Sequence, residues 1–152
     1  MRVEKDYQEF LKLLNKHKVK YCIIGAYAVA FYAKPRYTKD MDIFVEPTVD
    51  NAKKILEVLK EFGFGDLSIT LDDLTREGNI FQLGYEPVRI DLLTKMEGLQ
   101  FQEVWTNRVT GDYGSEKVNF IGLDDLIKNK RISGRPSDKV DIELLEKSRG
   151  DR

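Results

Sequence analysis

Asp40-Met41-Asp42-Ile43 places two carboxylates two residues apart. In an extended strand that spacing sends both to one side, while Met41 and Ile43 turn to the other. Adjacent carboxylates repel. A divalent cation relieves the repulsion and keeps both ionised, and an all-oxygen ligand set of this kind suits Mg²⁺ or Mn²⁺. The bland alternative is a solvated acidic strand, because Asp-x-Asp is common in highly charged chains. Asp91 supplies a third carboxylate within Val88-Arg89-Ile90-Asp91-Leu92-Leu93, on the side opposite Val88, Ile90 and Leu92. If its strand lies beside that of Asp40 and Asp42, three acids converge in the ligand pattern of two-metal phosphoryl transfer. The competing arrangement pairs Asp91 with Arg89 on the same face.

Other groups could serve the same chemistry. Gly25 follows the apolar run Val19 to Ile24 and opens a small-residue helix, Ala26-Tyr27-Ala28-Val29-Ala30-Phe31. Backbone N–H groups at such a turn can meet phosphate oxygens, although a glycine there also simply makes a tight turn. Arg36 and Thr38 share the alternating face of Asp40 and Asp42, where they either steady a phosphate or pair with the acids. Lys128 to Arg135 is the one dense basic cluster. It offers charge for a polyphosphate, or it complements the C-terminal end of a helix dipole with no ligand at all. Asp138 and Asp141 read as acids favoured in the first turn of the last helix. His17 reads as surface, and Trp105 as core-edge packing.

The elements that must position these groups follow from periodicity. Tyr7, Phe10, Leu11 and Leu14 form one stripe of an amphipathic helix over residues 4 to 16. Val19 to Ile24 reads as a buried strand, and Pro35 ends the helix after Gly25. Residues 36 to 45 alternate as a strand. A helix through Ala52, Ile55, Val58 and Leu59 closes at Phe62-Gly63-Phe64-Gly65. Ile80 to Gly84 and Val88 to Leu93 flank Tyr85-Glu86-Pro87 as a hairpin would. Between residues 99 and 121 the pattern gives only a short helix at Phe101 to Trp105 and a strand at Val118 to Ile121. Helices at Leu123 to Arg131 and Ser137 to Lys147 finish the chain, with Ser137 as N-cap.

The length of 152 residues fits one domain, residues 1 to 152. A net charge of −1 gives no global field for a polyanion, so long-duplex DNA binding is excluded and any nucleotide contact must be local. One cysteine, Cys22, excludes an internal disulfide and reads as a buried thiol. The N-terminus has no apolar leader and no run of about eighteen apolar residues occurs, so the expectation is a cytoplasmic protein with no membrane contact.

The order of Gly25-Ala26, Arg36-x-Thr38-x-Asp40-Met41-Asp42-Ile43 and Ile90-Asp91-Leu92 resembles the DNA polymerase β-like nucleotidyltransferase superfamily. Within it, the Arg-x-Thr-x-Asp-x-Asp context and the tail from Leu123 to Asp141 look like small bacterial and archaeal nucleotidyltransferases related to abortive-infection toxin enzymes. Ala26 stands where that family most often has Gly or Ser, which leaves backbone N–H groups as the phosphate donors. The resemblance implies an α+β fold, a mixed β-sheet carrying the acids with helices packed on one side and a helical C-terminal element, about 122 to 148, closing a nucleotide cleft. It implies attack by an acceptor hydroxyl on the α-phosphate of an NTP with loss of pyrophosphate. Asp40 and Asp42 would ligate two Mg²⁺ or Mn²⁺ ions, Asp91 would ligate the catalytic ion and help activate the nucleophile, and Gly25 and Ala26 would hold phosphates. Lys130 and Arg135 are the candidates for triphosphate charge. The acceptor is open: an RNA end, a protein hydroxyl or a small molecule. Rival readings are an idle scaffold of the same fold, such as one half of a toxin–antitoxin pair, and a metal-dependent phosphoesterase. A homodimer is a further possibility.

Overall fold

Apolar runs of four to six residues, set between amphipathic stretches, become strands of one sheet. The computed structural model describes residues 3–33, 40–65, 67–85 and 88–150. In chain order these give α1 (Lys5–Lys16), β1 (Tyr21–Ile24), α2 (Gly25–Tyr32), β2 (Asp40–Val45), α3 (Val49–Phe62), α4 (Leu71–Thr75), β3 (Ile80–Tyr85), β4 (Val88–Leu93), α5 (Phe101–Thr106), β5 (Val109–Tyr113), β6 (Glu116–Phe120), α6 (Leu123–Ser133) and α7 (Pro136–Gly150). The sheet order is β3-β4-β2-β1-β6-β5. It is mixed: β2 runs parallel to β4 and β1 to β6, while the pairs β1/β2, β3/β4 and β5/β6 are antiparallel. The expected hairpin of β3 and β4 is present, and the fold is of the expected α+β class with a mixed sheet.

Met41, Ile43 and Val45 are fully buried behind the sheet, and α1 and α3 cover that face. The α1 stripe of Tyr7, Phe10, Leu11 and Leu14 is buried, and Phe10 meets Phe62 of α3 edge to face at 5.1 Å. The Tyr21 hydroxyl donates to Asn15 Oδ1 at 2.9 Å, tying α1 to β1. Gly63 caps α3 in the left-handed region at φ 99°, as the Phe-Gly-Phe-Gly run anticipates. On the other face Phe44 packs against Phe101 of α5. Cys22 is buried in β1, and burial pushes its thiol up to about 12, so it is an inert core group.

Several boundaries differ from the sequence reading. β1 begins at Tyr21 because Lys18 adopts φ 57° and the Val19 N–H still bonds Leu14 O, which spends residues 17 to 20 on closing α1. β2 begins at Asp40 among the described residues; Arg36 and Thr38 lie outside them. Two elements have no sequence forecast. One is α4, a single turn fixed by a reciprocal Thr70–Asp73 cap; the other is β5, the edge strand that pairs with β6. The last helix starts at Pro136 rather than after Ser137. The orphan Arg135 N–H is taken by the Asp138 carboxylate at 3.1 Å, so Ser137 is not the cap.

Asn51, buried in the first turn of α3, does much to fix β1 against β2. Its Oδ1 accepts from Lys20 N at 2.8 Å, and its Nδ2 donates to Lys20 O at 3.1 Å and Glu46 O at 3.0 Å. Asn51→Ala removes three hydrogen bonds, leaving Lys20 N–H and Glu46 O without the amide while Lys20 O keeps the Glu46 N–H at 3.3 Å, and should cost roughly 2–4 kcal/mol. Urea unfolding checks this; a loss within 0.5 kcal/mol, by an order-of-magnitude surface-substitution standard of about that size, would show that water replaces the amide freely.

Candidate functional site

Parallel pairing of β2 with β4 sets Asp42 opposite Asp91 and Asp40 opposite Arg89. Strand alternation then puts all four side chains on one face. Antiparallel pairing sets Ile24 opposite Asp42, so β1 ends where the acids begin and delivers Gly25 beside them. Gly25 has φ +67°, and a Cβ there would stand 2.5 Å from Asp42 Oδ2. Only glycine lets the start of α2 approach the carboxylate so closely. Ala26 follows, half-buried, as the second residue of α2.

The three carboxylates are not equivalent. Arg89 grips Asp91 with both arms of its fork, Nε to Oδ1 at 3.1 Å and one terminal nitrogen to Oδ2 at 2.9 Å. The same nitrogen lies 3.3 Å from Asp40 Oδ2. The two sequence alternatives for Asp91 are thus realised together: it shares the face of Asp40 and Asp42, and it pairs with Arg89. Asp42 has no ion-pair partner among the described residues. Burial first, then the charges of Asp91 and Asp40, push its carboxyl up to about 6, against smaller lowering by Arg89 and Lys130. Arg89 itself is held further above its ordinary range, chiefly by its hydrogen bond to Asp91.

With the guanidinium in place, no three acidic, histidine or cysteine side chains among the described residues form a ready-made metal cage. The donor chemistry nonetheless fits a hard divalent cation. All the donors are carboxylate oxygens, they lie on one sheet face, and their mutual repulsion is relieved by positive charge.

A cleft of about 650 Å³ opens in front of this face. Gly25 and Asp42 line it together with Lys130, Ser133 and Arg135 from the joint of α6 and α7, whereas Asp40 and Asp91 are not among its lining residues. Lys130 is a buried ammonium, 3.2 Å from Asp138 and 3.1 Å from Asp141. Both of these acids are 1% exposed, so they are not the solvated first-turn acids of the sequence reading. Burial alone would raise Asp138, but hydrogen bonds from Ser133, Arg135 and Lys130 outweigh it and hold the carboxyl well below the usual range. Arg135 bonds Asp138 through Nε at 3.1 Å, with its side chain 71% exposed. The sequence signal for this cluster was available: Asp138 and Asp141 are three apart on one helix face, just beyond the basic run. Of the remaining candidates, Arg36 and Thr38 lie outside the described residues, and among the described residues no helix is long and apolar enough to cross a membrane.

A family model described as "nucleotidyl transferase of unknown function (DUF2204)" matches residues 3–151. No curated protein matches significantly in sequence. Among solved structures, the chain is similar to a lincosamide antibiotic adenylyltransferase, LnuA, with lincomycin bound. The TM-score is 0.57 at 18% identity, over 94% of this chain and 96% of that one. It is similar also to a candidate nucleotidyltransferase from Thermotoga maritima, with a TM-score of 0.64 at 15% identity over 99% and 97% of the two chains. At these identities the two likenesses establish the fold.

The raised Asp42 carboxyl makes a pH prediction. Its value is about 6 in the fold against 3.8 for the free side chain. The folded state therefore binds the proton more tightly, and stability present below the unfolded value is lost as pH rises through 6. About two units correspond to roughly 3 kcal/mol at most. Metal-free Asp42→Asn should be the more stable protein at about pH 7.5, and the advantage should close towards about pH 4. Urea titrations at the two pH values decide it, and a pH-independent difference would sink the assignment.

Proposed function

The chain belongs to the family described as nucleotidyl transferase of unknown function, and on that premise we propose metal-dependent transfer of a nucleoside monophosphate from an NTP to an acceptor hydroxyl. The observation that carries this reading is the parallel β2/β4 register, which lays Asp40, Asp42 and Asp91 along one face beside the glycine that opens α2. An acceptor oxygen forms the new bond to the α-phosphorus. The bond from that phosphorus to the bridging oxygen of the β-phosphate breaks, and pyrophosphate leaves. Mg²⁺ or Mn²⁺, two ions held by Asp40 and Asp42 with Asp91 on the catalytic one, would supply neutralisation of the charge developing on the phosphoryl oxygens.

The chain's own residues do the rest. The Gly25 and Ala26 backbone amides hold phosphate oxygens without a hydroxyl's help. Asp91 accepts the proton of the acceptor hydroxyl once its oxygens are free of Arg89. Lys130 and Arg135, which line the same cleft as Asp42, neutralise the departing pyrophosphate. The positive charge is local, as the near-zero net charge requires. Across this fold one similar protein is an antibiotic adenylyltransferase with its antibiotic bound. A small hydroxylated molecule is therefore the first acceptor class to test, ahead of an RNA end or a protein hydroxyl.

Thermal unfolding with each of the four NTPs, with and without Mg²⁺, tests the nucleotide site. A ligand at a hundred times its Kd adds about 2.7 kcal/mol, which in a domain of this size should raise Tm by roughly 5–10 °C. The rise should need both nucleotide and Mg²⁺ and should vanish in the Asp40→Asn, Asp42→Asn double variant. If no nucleotide shifts a cooperatively unfolding protein, the idle-scaffold reading replaces this one.

A further inference from the structure

We infer that Arg89 is the resident counter-cation of the acid cluster: it holds Asp40 and Asp91 in place before loading and competes with the divalent cation for both. This rests on the reading of the acids as the metal site, and it adds a positioning role for a residue that the reaction itself does not require.

Three observations carry it. The first is geometric saturation. The fork of Arg89 occupies both oxygens of Asp91, and its NH2 group is shared with Asp40, so the lone pairs that a cation would use already face a guanidinium. The second is anchorage. The Arg89 backbone is clamped on both sides by the buried Tyr7 hydroxyl, which accepts from Arg89 N at 3.1 Å and donates to Arg89 O at 2.9 Å. The start of the side chain is therefore fixed, while its charged end is partly open to solvent. The third is chemical. A guanidinium does not lose its charge at any working pH, so it can leave the carboxylates only by moving.

Among the described residues, one guanidinium is ion-paired within this group of three carboxylates. Asp40 and Asp91 share it and Asp42 has no ion pair there, which leaves Asp42 as the first point of entry for a cation. A metal that enters through Asp42 gains full ligation only when Arg89 releases Asp91. A fork of this kind is a good stand-in, because bidentate pairing fixes carboxylate orientation better than a point charge does. It is also a removable one from its own side: Asp91 is buried, but the guanidinium keeps about a quarter of its side chain open to solvent, the direction in which it can swing away.

The test uses Mn²⁺ alone, followed by its free-ion electron paramagnetic resonance signal and by thermal unfolding, on wild type, Arg89→Gln and Arg89→Lys. Arg89→Gln should lower the metal-free Tm and bind Mn²⁺ on the order of tenfold more tightly, because the competing charge is gone. Mn²⁺ should then raise Tm more in this variant than in wild type. Arg89→Lys keeps a charge without the fork, should fold in any case, and should fall between the two. A variant affinity equal to or weaker than wild type in both substitutions would overturn the competition while leaving the metal site intact. Failure of Mn²⁺ to bind any of the three proteins would overturn the metal reading and this inference together.

Discussion

Repulsion between carboxylates laid side by side is the constraint on which the rest of this structure turns. A parallel strand pair offers no freedom to avoid it, because the register that buries Met41, Ile43, Ile90 and Leu92 also sets Asp42 opposite Asp91. Slipping the register by one residue would bring the acids into the core and turn the apolar set outwards. The hydrophobic face therefore enforces an electrostatic arrangement that is unfavourable without a counter-charge. The chain meets this locally with Arg89, and incompletely, since Asp42 stays raised to about 6.

Everything behind the sheet can be understood as support for that arrangement. The side of the sheet that carries Met41, Ile43 and Val45 is apolar, and two polar side chains there make several bonds to backbone. Asn51 satisfies backbone groups at the exit of β2 and the approach to β1, while Tyr7 clamps the backbone of Arg89. These contacts hold the strand ends that carry the acids. Rigid positioning from behind lets the front face keep an uncompensated charge without the sheet yielding to it.

The acids and their shared face were legible in the sequence because a strand's period of two is strict. Asp40, Asp42 and Asp91 needed in addition the adjacency of two strands, which the sequence left as a condition and the β2/β4 pairing supplies. The Arg89–Asp91 pair was legible for the same reason, but sequence alone posed it as a rival to the acid cluster. The fold makes both true, because β2 brings Asp40 within reach of the same guanidinium. What stayed hidden depended on packing across elements. Asp138 and Asp141 looked like acids attracted by a helix dipole, and only the crossing of α6 and α7 reveals that they enclose Lys130. The strand Val109–Tyr113 was invisible because Thr110, Gly111 and Asp112 break apolar alternation at a sheet edge that little covers. The α4 turn is too short to show any period.

The burial of Lys130 has a consequence for how the cleft presents charge. An ammonium enclosed by two carboxylates has its field largely cancelled at a distance. At short range it still acts, since Lys130 lowers the carboxyl of Asp42. Two cations that line the cleft therefore differ in what they can do. Lys130 is fixed and close, suited to a phosphate oxygen that comes within hydrogen-bonding reach of the acids, but it cannot draw a polyanion in from solvent. Arg135 is tethered to Asp138 by one nitrogen, and most of its side chain remains exposed. It is the one of the two able to meet an incoming triphosphate first. The tether keeps it over the cleft at little entropic cost, because the carboxylate that holds it is locked by other bonds. Burial separates the two groups, Lys130 enclosed and Arg135 exposed, so on the proposed reading attraction would fall to Arg135 and alignment to Lys130.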